Sequence, residues 1–592
     1  MSSCAARLWR IFVPALFFGA AGALTAQTVT VSPVNDSIRE RLEDEALVLN
    51  AQSGATAGEL IAIAEGDYRR ILAVLYEEGY FGADVSIKLG GQEAAALGAL
   101  NAPANLLPVT IGVDLGPRFA FGRAQIAPQV NGSNLPETFA TGEPASTAVI
   151  RSAALGAVDN WKEASHAKAR ISGQEIVARH KQRELDVAIA IDPGPALSFG
   201  KLITPKNPEF RSSRLLKIAG LPTGEPYSPE ALRQARARLV ATGAFNSVVL
   251  EEAAAPGSNQ TLPISLSYEA APPRRLGFGA EVDTTSGLSL QTFWLHRNFF
   301  GGAERLRFDA KAEGIGGPSG GTDYSFDALL RVPGFRRADD TLELSAGLSR
   351  VDDDTVDETL FELGIRRARQ VNETLVVGTS LGFRVSEAED VGGKNEFQHF
   401  IISADAERDL RDNALNPTSG TYGFLELTPF IGLGDSKTGV RLKGDFRAYR
   451  AFGNGLVLAA RGQFGVAAGP EIAEVPPEFL FFSGGGGTVR GQGFKSLGVG
   501  SGASQTGGRG FAGLSLELRR DLTETVSLVG FMDYGYISSD YDFSDGGSHS
   551  GAGLGIRYNT SFGPLRVDLG LPLGGSTDGT EYGLYIGLGQ AF

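Results

Sequence analysis

From about Arg274 to the end of the chain, apolar and polar side chains take turns. In ERLRFDAKAE, Leu306, Phe308, Ala310 and Ala312 fall on one side, and Arg305, Arg307, Asp309, Lys311 and Glu313 on the other. TLELSAGLS lines up Leu342, Leu344, Ala346 and Leu348. GVRLKGDFRAY sets Val440, Leu442, Phe446 and Ala448 against Arg441, Lys443, Asp445 and Arg447. A period of two is that of an extended strand, whose successive side chains point to opposite faces. Segments of about ten residues, parted by Gly, Asn and Asp turns, fill the stretch from residue 272 to residue 592, enough for about 16 strands. Alternation alone fits two architectures. A soluble sandwich buries its apolar face and wets its polar one. A transmembrane barrel turns apolar residues to lipid and charged ones to the lumen.

The first half follows a helical period instead. In DYRRILAVLYEEGYFGADVSI, Ile71, Leu72, Leu75 and Tyr76 share a face, Gly79 stops the helix, and a strand pattern follows. SPEALRQARARLVATGAFNSVVLE repeats the scheme. Ser228 is the expected N-cap, Glu230 lies in the first turn, and Leu232, Ala235 and Leu239 form the stripe. Gly243 ends this helix before Phe245, Val248 and Leu250 enter a strand. A middle unit, around Val149 to Ile171, has Ala164 and Ser165 where the others have glycine. DLGPRFAFG begins at Asp114 and DPGPALSFG at Asp192, an offset of 192 − 114 = 78, and Phe278-Gly279 continues the series. Three units of similar size are expected, at 27–116, 117–195 and 196–271.

Composition narrows the choice. A net charge of −14 and a pI near 5.1 argue against nucleic acid as the main partner. Arg7 and Arg10 precede the apolar run Ile11 to Leu24, and small residues follow, so residues 1–26 read as a secretory signal peptide. The one cysteine, Cys4, lies before that run, so the processed chain would hold no disulfide and no thiolate metal site. No later segment has the ~18 consecutive apolar residues of a membrane helix, so a membrane would be crossed with strands. The last segment, YGLYIGLGQAF, aligns Tyr582, Leu584, Ile586 and Leu588 and ends on Phe592. The five histidines, His166, His180, His296, His399 and His549, are scattered and have neither metal-ligand nor triad spacing. No enzyme, cofactor or metal site is expected; Asp352 to Asp354 and the acidic stretch near Asp540 read as solvated loops.

Several segments carry a family resemblance. GEPYSPEALRQARARLVATGAFNSVVLE resembles POTRA domains, the periplasmic modules of outer-membrane assembly proteins. WLHRNFFGGAERL, DLRDNALNPTSG, the Val489-Arg490-Gly491 loop motif with Phe494 and Ser496-Leu497-Gly498 behind it, GLSLELRRDL and GFMDYGY resemble, in order, the insertase superfamily of BamA, TamA and the two-partner secretion transporters. A terminal Phe592 resembles the C-terminal signal of bacterial outer-membrane proteins, from which Gln590 departs. The resemblance covers essentially the whole chain after the leader. It implies a transmembrane antiparallel β-barrel of about 16 strands over 272–592, behind three tandem α+β POTRA-like periplasmic domains. A three-module arm is most similar to TamA. That likeness implies help in inserting autotransporters and other barrel clients, with the lipid bilayer and a TamB-like inner-membrane-anchored protein as partners. The competing expectations are a two-partner-type secretion channel and a passive pore.

Strand parity then nominates a site. With Leu514, Leu516 and Leu518 facing lipid, Glu517 faces the lumen. With Leu528, Met532, Tyr534 and Tyr536 outside, Phe531 and Asp533 point in. The glycine-rich stretch between about 470 and 508 is too long for an ordinary hairpin. Folded inward, as the resemblance implies, it brings Arg490 to Glu517 and Asp533, and an arginine fork can bond two carboxylates. Val489 and Gly491 flank that anchor, with Phe494, Leu497 and Phe531 as packing partners. Gln492 stands where the family has an aromatic. A second expectation is a weak seam: Gly277 and Gly279 in the first strand, and Gly583, Gly587 and Gly589 in the last.

Overall fold

The computed structural model describes residues 28–592, apart from 52–54, 99–101, 104, 134, 285, 318–320, 353–355, 391–392, 454, 561–562 and 576–580. The expected signal peptide and Asp353 and Asp354 lie outside the described residues. The chain divides into two compact units. One runs to Ser198 and includes Pro226–Pro229; the other holds Phe199–Glu225 and Glu230–Phe592.

The first unit contains two α+β modules. In the first, β1 (Thr28–Ser32), β2 (Asp84–Leu89), β3 (Gln92–Glu93) and β4 (Val109–Asp114) form a sheet in the order β1-β4-β2-β3. Helices α1 (Asp36–Glu45), α2 (Leu47–Asn50) and α3 (Ala57–Glu77) belong to it. Thr56 and Glu59 close a capping box on α3, which starts at Ala57, nearly three turns before the periodic stretch read from sequence at Asp67. Its Ile61, Ala64, Ile71 and Leu75 are fully buried. The second module pairs β5 (Ala120–Ala127), β7 (Glu184–Asp192) and β6 (Arg170–Arg179) with α4 (Thr147–Glu163). Ser165 takes φ 71° just past the end of α4, the left-handed conformation that glycine supplies in the other two modules.

The second unit opens with a third α+β module. Its sheet has the order β8 (Ser198–Ile203), β10 (Thr261–Ala270), β9 (Phe245–Glu252), and its helices are α5 (Ser212–Ala219) and α6 (Pro229–Ala241). A closed antiparallel barrel follows at once. Its strands are β11 (Arg274–Asp283), β12 (Gly287–His296), β13 (Arg305–Ile315), β14 (Asp323–Pro333), β15 (Asp340–Asp352), β16 (Asp357–Asn372), β17 (Leu375–Asp390) and β18 (Gly393–Asp409). They continue with β19 (Gly420–Gly432), β20 (Gly439–Ala451), β21 (Leu456–Ala468), β22 (Gly510–Asp521), β23 (Val526–Ser538), β24 (Gly546–Thr560), β25 (Gly563–Gly574) and β26 (Gly583–Leu588). Each pairs with its chain neighbour, and β26 meets β11.

Burial decides between the two architectures that alternation allows. Phe326, Leu348, Leu363 and Leu516 stand exposed on the outer face, whereas Glu517, Asp533, Arg557 and Asp568 are buried inside. A soluble sandwich has the opposite polarity; this is a barrel that faces lipid.

The third module is bonded to the barrel end from which β11 rises. The Arg211 backbone N–H donates to Gly301 O (2.7 Å), and its Nη2 to Glu304 Oε1 (2.6 Å). Arg214 donates to the carbonyls of Pro333 and Gly334, and Lys217 Nζ to Phe335 O (2.6 Å). Arg238 Nε bonds Asp339 Oδ1. Ala303, from the β12–β13 turn, is fully buried in the third module's own apolar core. These contacts grip the β12–β13 and β14–β15 turns.

Candidate functional site: an inward loop and a short seam

The β21–β22 connection, residues 469–509, lies inside the barrel. It carries three single-turn helices, Ile472–Glu474, Pro477–Phe479 and Gly502–Ser504, and is braced by bridges between Phe481 and Gly508, Ser483 and Leu497, Gly485 and Val489, and Val499 and Thr506. Its glycines therefore belong to a folded narrow ribbon. Val489 is fully buried at the tip.

Arg490 follows Val489 and is almost fully buried. Its Nε and Nη2 form a fork on Asp533, at 2.7 Å to Oδ2 and 3.0 Å to Oδ1. Its Nη1 reaches Glu517 Oε1 at 2.6 Å and Asp568 Oδ2 at 3.3 Å. Its backbone N–H also donates to Asp533 Oδ2 (3.1 Å). The guanidinium lies 3.6 Å from the centre of the Phe531 ring, a stacked cation–π contact. Two further arginines complete the cluster. Arg519 Nε donates to Glu517 Oε2 (2.9 Å), and Arg557 bonds both oxygens of Asp568. Three guanidiniums thus meet three carboxylates, so the buried cluster is neutral. Burying any one of these charges alone would be prohibitive, whereas a hydrogen-bonded set is tolerated.

Backbone packing fixes where Arg490 sits. Gly491 has φ +91°, and a Cβ there would lie 2.6 Å from the Leu571 carbonyl carbon. On the wall, a Cβ at Gly551 would fall 2.0 Å from Arg490 O. Both positions must be glycine for the loop to lie against β24 and β25. The Gly491 N–H donates to Tyr585 Oη (2.9 Å) on the last strand. Gln492 is buried too and donates Nε2 to Ser550 O (2.8 Å) and Gly574 O (3.2 Å). The amide thus fastens the loop through polar contacts. Leu497 packs with Phe481, Phe511 and Ile537. Phe494 departs from the packing role expected of it: it is 38% exposed, and the Lys495 ammonium lies 5.4 Å from its ring centre.

The seam is short. β11 and β26 pair only Val282 with Ile586 and Asp283 with Tyr585, extended by Thr284 N–H to Leu584 O (3.3 Å) and Leu584 N–H to Thr284 Oγ1 (3.0 Å). From Arg274 to Glu281, β11 has no register partner on β26 among the described residues. Phe278, on this edge, is 79% exposed. The five seam glycines do not act alike. Gly277 lies under the Phe293 ring, Gly583 beside the Tyr585 phenol and Gly587 beside Arg566, while Gly279 is roomy. Gly589, at φ +90°, ends the strand.

Beyond Gly589 the chain turns into the lumen. The sequence pattern extends the last strand to Phe592 on the face of Leu588; in the structure the strand ends at Leu588 and Phe592 is buried. The Phe592 ring lies 6.5 Å from Tyr449, and its carbonyl accepts from Arg519 Nη2 (3.2 Å). Gln590 accepts from Arg557 Nε (2.7 Å) and donates to Asn416 Oδ1 (2.8 Å). A polar residue two before the end suits a tail that enters a polar lumen. Sequence reading missed Asp568, Arg519, Arg557 and Tyr585 as members of this site. Parity in PLRVDLGLPL marks Asp568, because Leu565, Val567 and Leu569 face outward. Nothing in the sequence marks Tyr585 as a partner of Gly491.

Residues 298–592 match the Omp85 superfamily domain. The fold is similar to that of BamA from Haemophilus ducreyi lacking POTRA domains 1-3, with a TM-score of 0.62 and 15% identity, over 79% of this chain and 99% of that one. It is also similar to CdiB from Acinetobacter baumannii, with a TM-score of 0.50 and 11% identity, over 80% and 90% of the two chains. At such identities the likeness is one of fold.

Proposed function

Residues 298–592, which hold all but the first two strands of the barrel, match the Omp85 superfamily domain, and from that match we propose an outer-membrane assembly factor that helps fold and insert autotransporters and other β-barrel proteins. This is the role that the sequence resemblance to TamA implies. The observation that carries it is the seam. β11 pairs ten residues with β12 but only two with β26. The remaining edge, Arg274 to Glu281, offers unpaired backbone donors and acceptors beside an outer face of Leu276 and Phe278. Such an edge can add an incoming strand by β-augmentation. The three α+β modules serve as a periplasmic arm for clients and for a TamB-like partner. The work is templating and needs no catalytic residue, cofactor or metal.

The likeness of fold to CdiB makes a secretion channel the competing reading. One variant separates the two. In a Cys4→Ser background, Val282→Cys and Ile586→Cys are directly opposed and can be oxidised to a disulfide. An assembly factor loses client insertion into vesicles when oxidised and regains it on reduction. Unchanged insertion with the seam locked refutes the proposal and favours transport through the lumen.

A further inference from the structure

One of the seam glycines lies under a bond. On β25, Arg566 points into the lumen between the outward Leu565 and Val567, and it stands in register with Gly587 of β26. One step along from the Val282–Ile586 pair, Glu281 of β11 comes level with the same glycine from the other side. Arg566 Nη2 reaches Glu281 Oε1 at 3.4 Å, across the whole width of β26. Backbones two strands apart in a sheet are separated by ~10 Å. Only a long side chain spans that gap, and only where the strand between leaves room. A Cβ at Gly587 would lie 3.1 Å from Arg566 Nη2 and 3.4 Å from Glu281 Oε1.

Arg566 has no second carboxylate among the described residues. Asp568, its neighbour on the same face, gives both oxygens to Arg557 and also accepts from Arg490. The Nε of Arg566 finds no acceptor among the described residues. Its side chain is 12% exposed, against 57% for that of Glu281. A guanidinium sunk into the wall has more to lose with its partner than one in water. The other ties between β11 and β26 are two register pairs and two bonds at Thr284. All of them fall between Glu281 and Thr284, at the end of β11 remote from the third module. β26 pairs six residues with β25 and only two with β11. A wall that parts at the seam therefore takes β25 along with β26, and the ion pair must break.

We infer that Arg566 and Glu281 bar the seam from the lumen side, with a tie that passes over β26 at Gly587. Parting β11 from β26 then breaks an ion pair as well as the short ladder. Gly587, which reads in the sequence as a weak point, is the gap through which the seam is tied. The tie holds whatever the barrel inserts or exports.

Hydrogen exchange of the full-length protein in detergent reads the seam at the amides of Val282 to Thr284 and Leu584 to Ile586. Glu281→Gln keeps the shape and removes the charge. It is expected to speed exchange there about two- to fivefold, as for a partly exposed pair, and to leave the β15–β16 ladder unchanged. Arg566→Gln has the same effect, with heat-modifiable gel mobility checking its fold; Glu281 stands on an exposed edge, so its variant carries the test by itself if Arg566→Gln misfolds. The double variant exchanges no faster than either single one, because one bond is lost once. Sodium chloride at about 1 M screens the pair, speeding the parent but not Glu281→Gln. An unchanged rate in Glu281→Gln overturns the inference. So do single effects that multiply in the double variant, and so does faster exchange that extends to β15 and β16, which marks a general loosening of the barrel.

Discussion

Replacing Arg490 by alanine tests whether the buried cluster holds the loop. The substitution removes a fork on Asp533, a 2.6 Å bond to Glu517 and a contact at 3.3 Å to Asp568. Arg519 and Arg557 still serve Glu517 and Asp568, but Asp533 loses its only cationic partner among the described residues. Breaking a buried pair from one side costs about 3–5 kcal/mol, because the remaining charge stays buried and unpaired. If that loss falls on docking, the docked population drops by roughly two to three and a half powers of ten. The barrel strands keep their own ladders, so heat-modifiable gel mobility stays that of a folded barrel. Two readouts follow the loop: tryptic cleavage after Lys495, which becomes rapid, and ion conductance in planar bilayers, which rises as the lumen empties. Arg490→Lys keeps the charge but loses the fork and falls between. Asp533→Asn in the Arg490→Ala background removes the stranded charge and recovers part of the protection. A mutant as protected and as non-conducting as the parent refutes the reasoning, and moves the weight of docking to Gln492 and Leu497.

Gln590→Leu deprives Arg557 Nε of its acceptor and Asn416 of a donor, a loss of about 1–3 kcal/mol. The tail is then expected to leave the lumen and lengthen β26 along β11, slowing hydrogen exchange at Leu276 to Ala280; unchanged exchange there counts against it. Asp412, in the β18–β19 turn, sets up an acid response. Burial acts to raise its pKa, but hydrogen bonds from the Thr418 hydroxyl and the N–H groups of Thr418, Ser419 and Asn413 outweigh it and hold it at about 2. A depressed carboxyl stabilises above its ordinary pKa and loses that contribution as pH falls through the folded value. The Thr418 and Ser419 amides therefore stay protected down to about pH 4 and open toward pH 2, an acid response that Asp412→Asn abolishes.

How much of this was legible follows from the range of each interaction. The 16-strand barrel is written in the period of two, because every strand pairs with its chain neighbour. The inner position of Glu517 and Asp533 follows from the same parity, and so does that of Asp568, once Leu565, Val567 and Leu569 are read as outward. Parity places a side chain on a face but does not say which loop will cross it. The bonds of Gln492 to Ser550 and Gly574, and of Gly491 to Tyr585, are long-range contacts without periodicity. The inward tail had one sign in the sequence: Gln590, a polar residue on what reads as the lipid face. The joint between the third module and the barrel joins residues roughly a hundred positions apart through arginines that look like any solvated surface charge.

That joint is asymmetric about the seam. Arg211, Arg214, Lys217 and Arg238 clamp the turns that connect β12 to β13 and β14 to β15, the strands that follow β11. β26 has no comparable clamp among these contacts; it is held by β25, the two pairs to β11, the bond from the Gly491 N–H to Tyr585, and a tail tucked into the lumen. In a doorway so hung, β11 is the jamb, bolted to the arm, and β26 is the leaf. A swing of the wall would carry the last strand and its tail outward and leave the unpaired edge of β11 where it stands, at a fixed height above the third module.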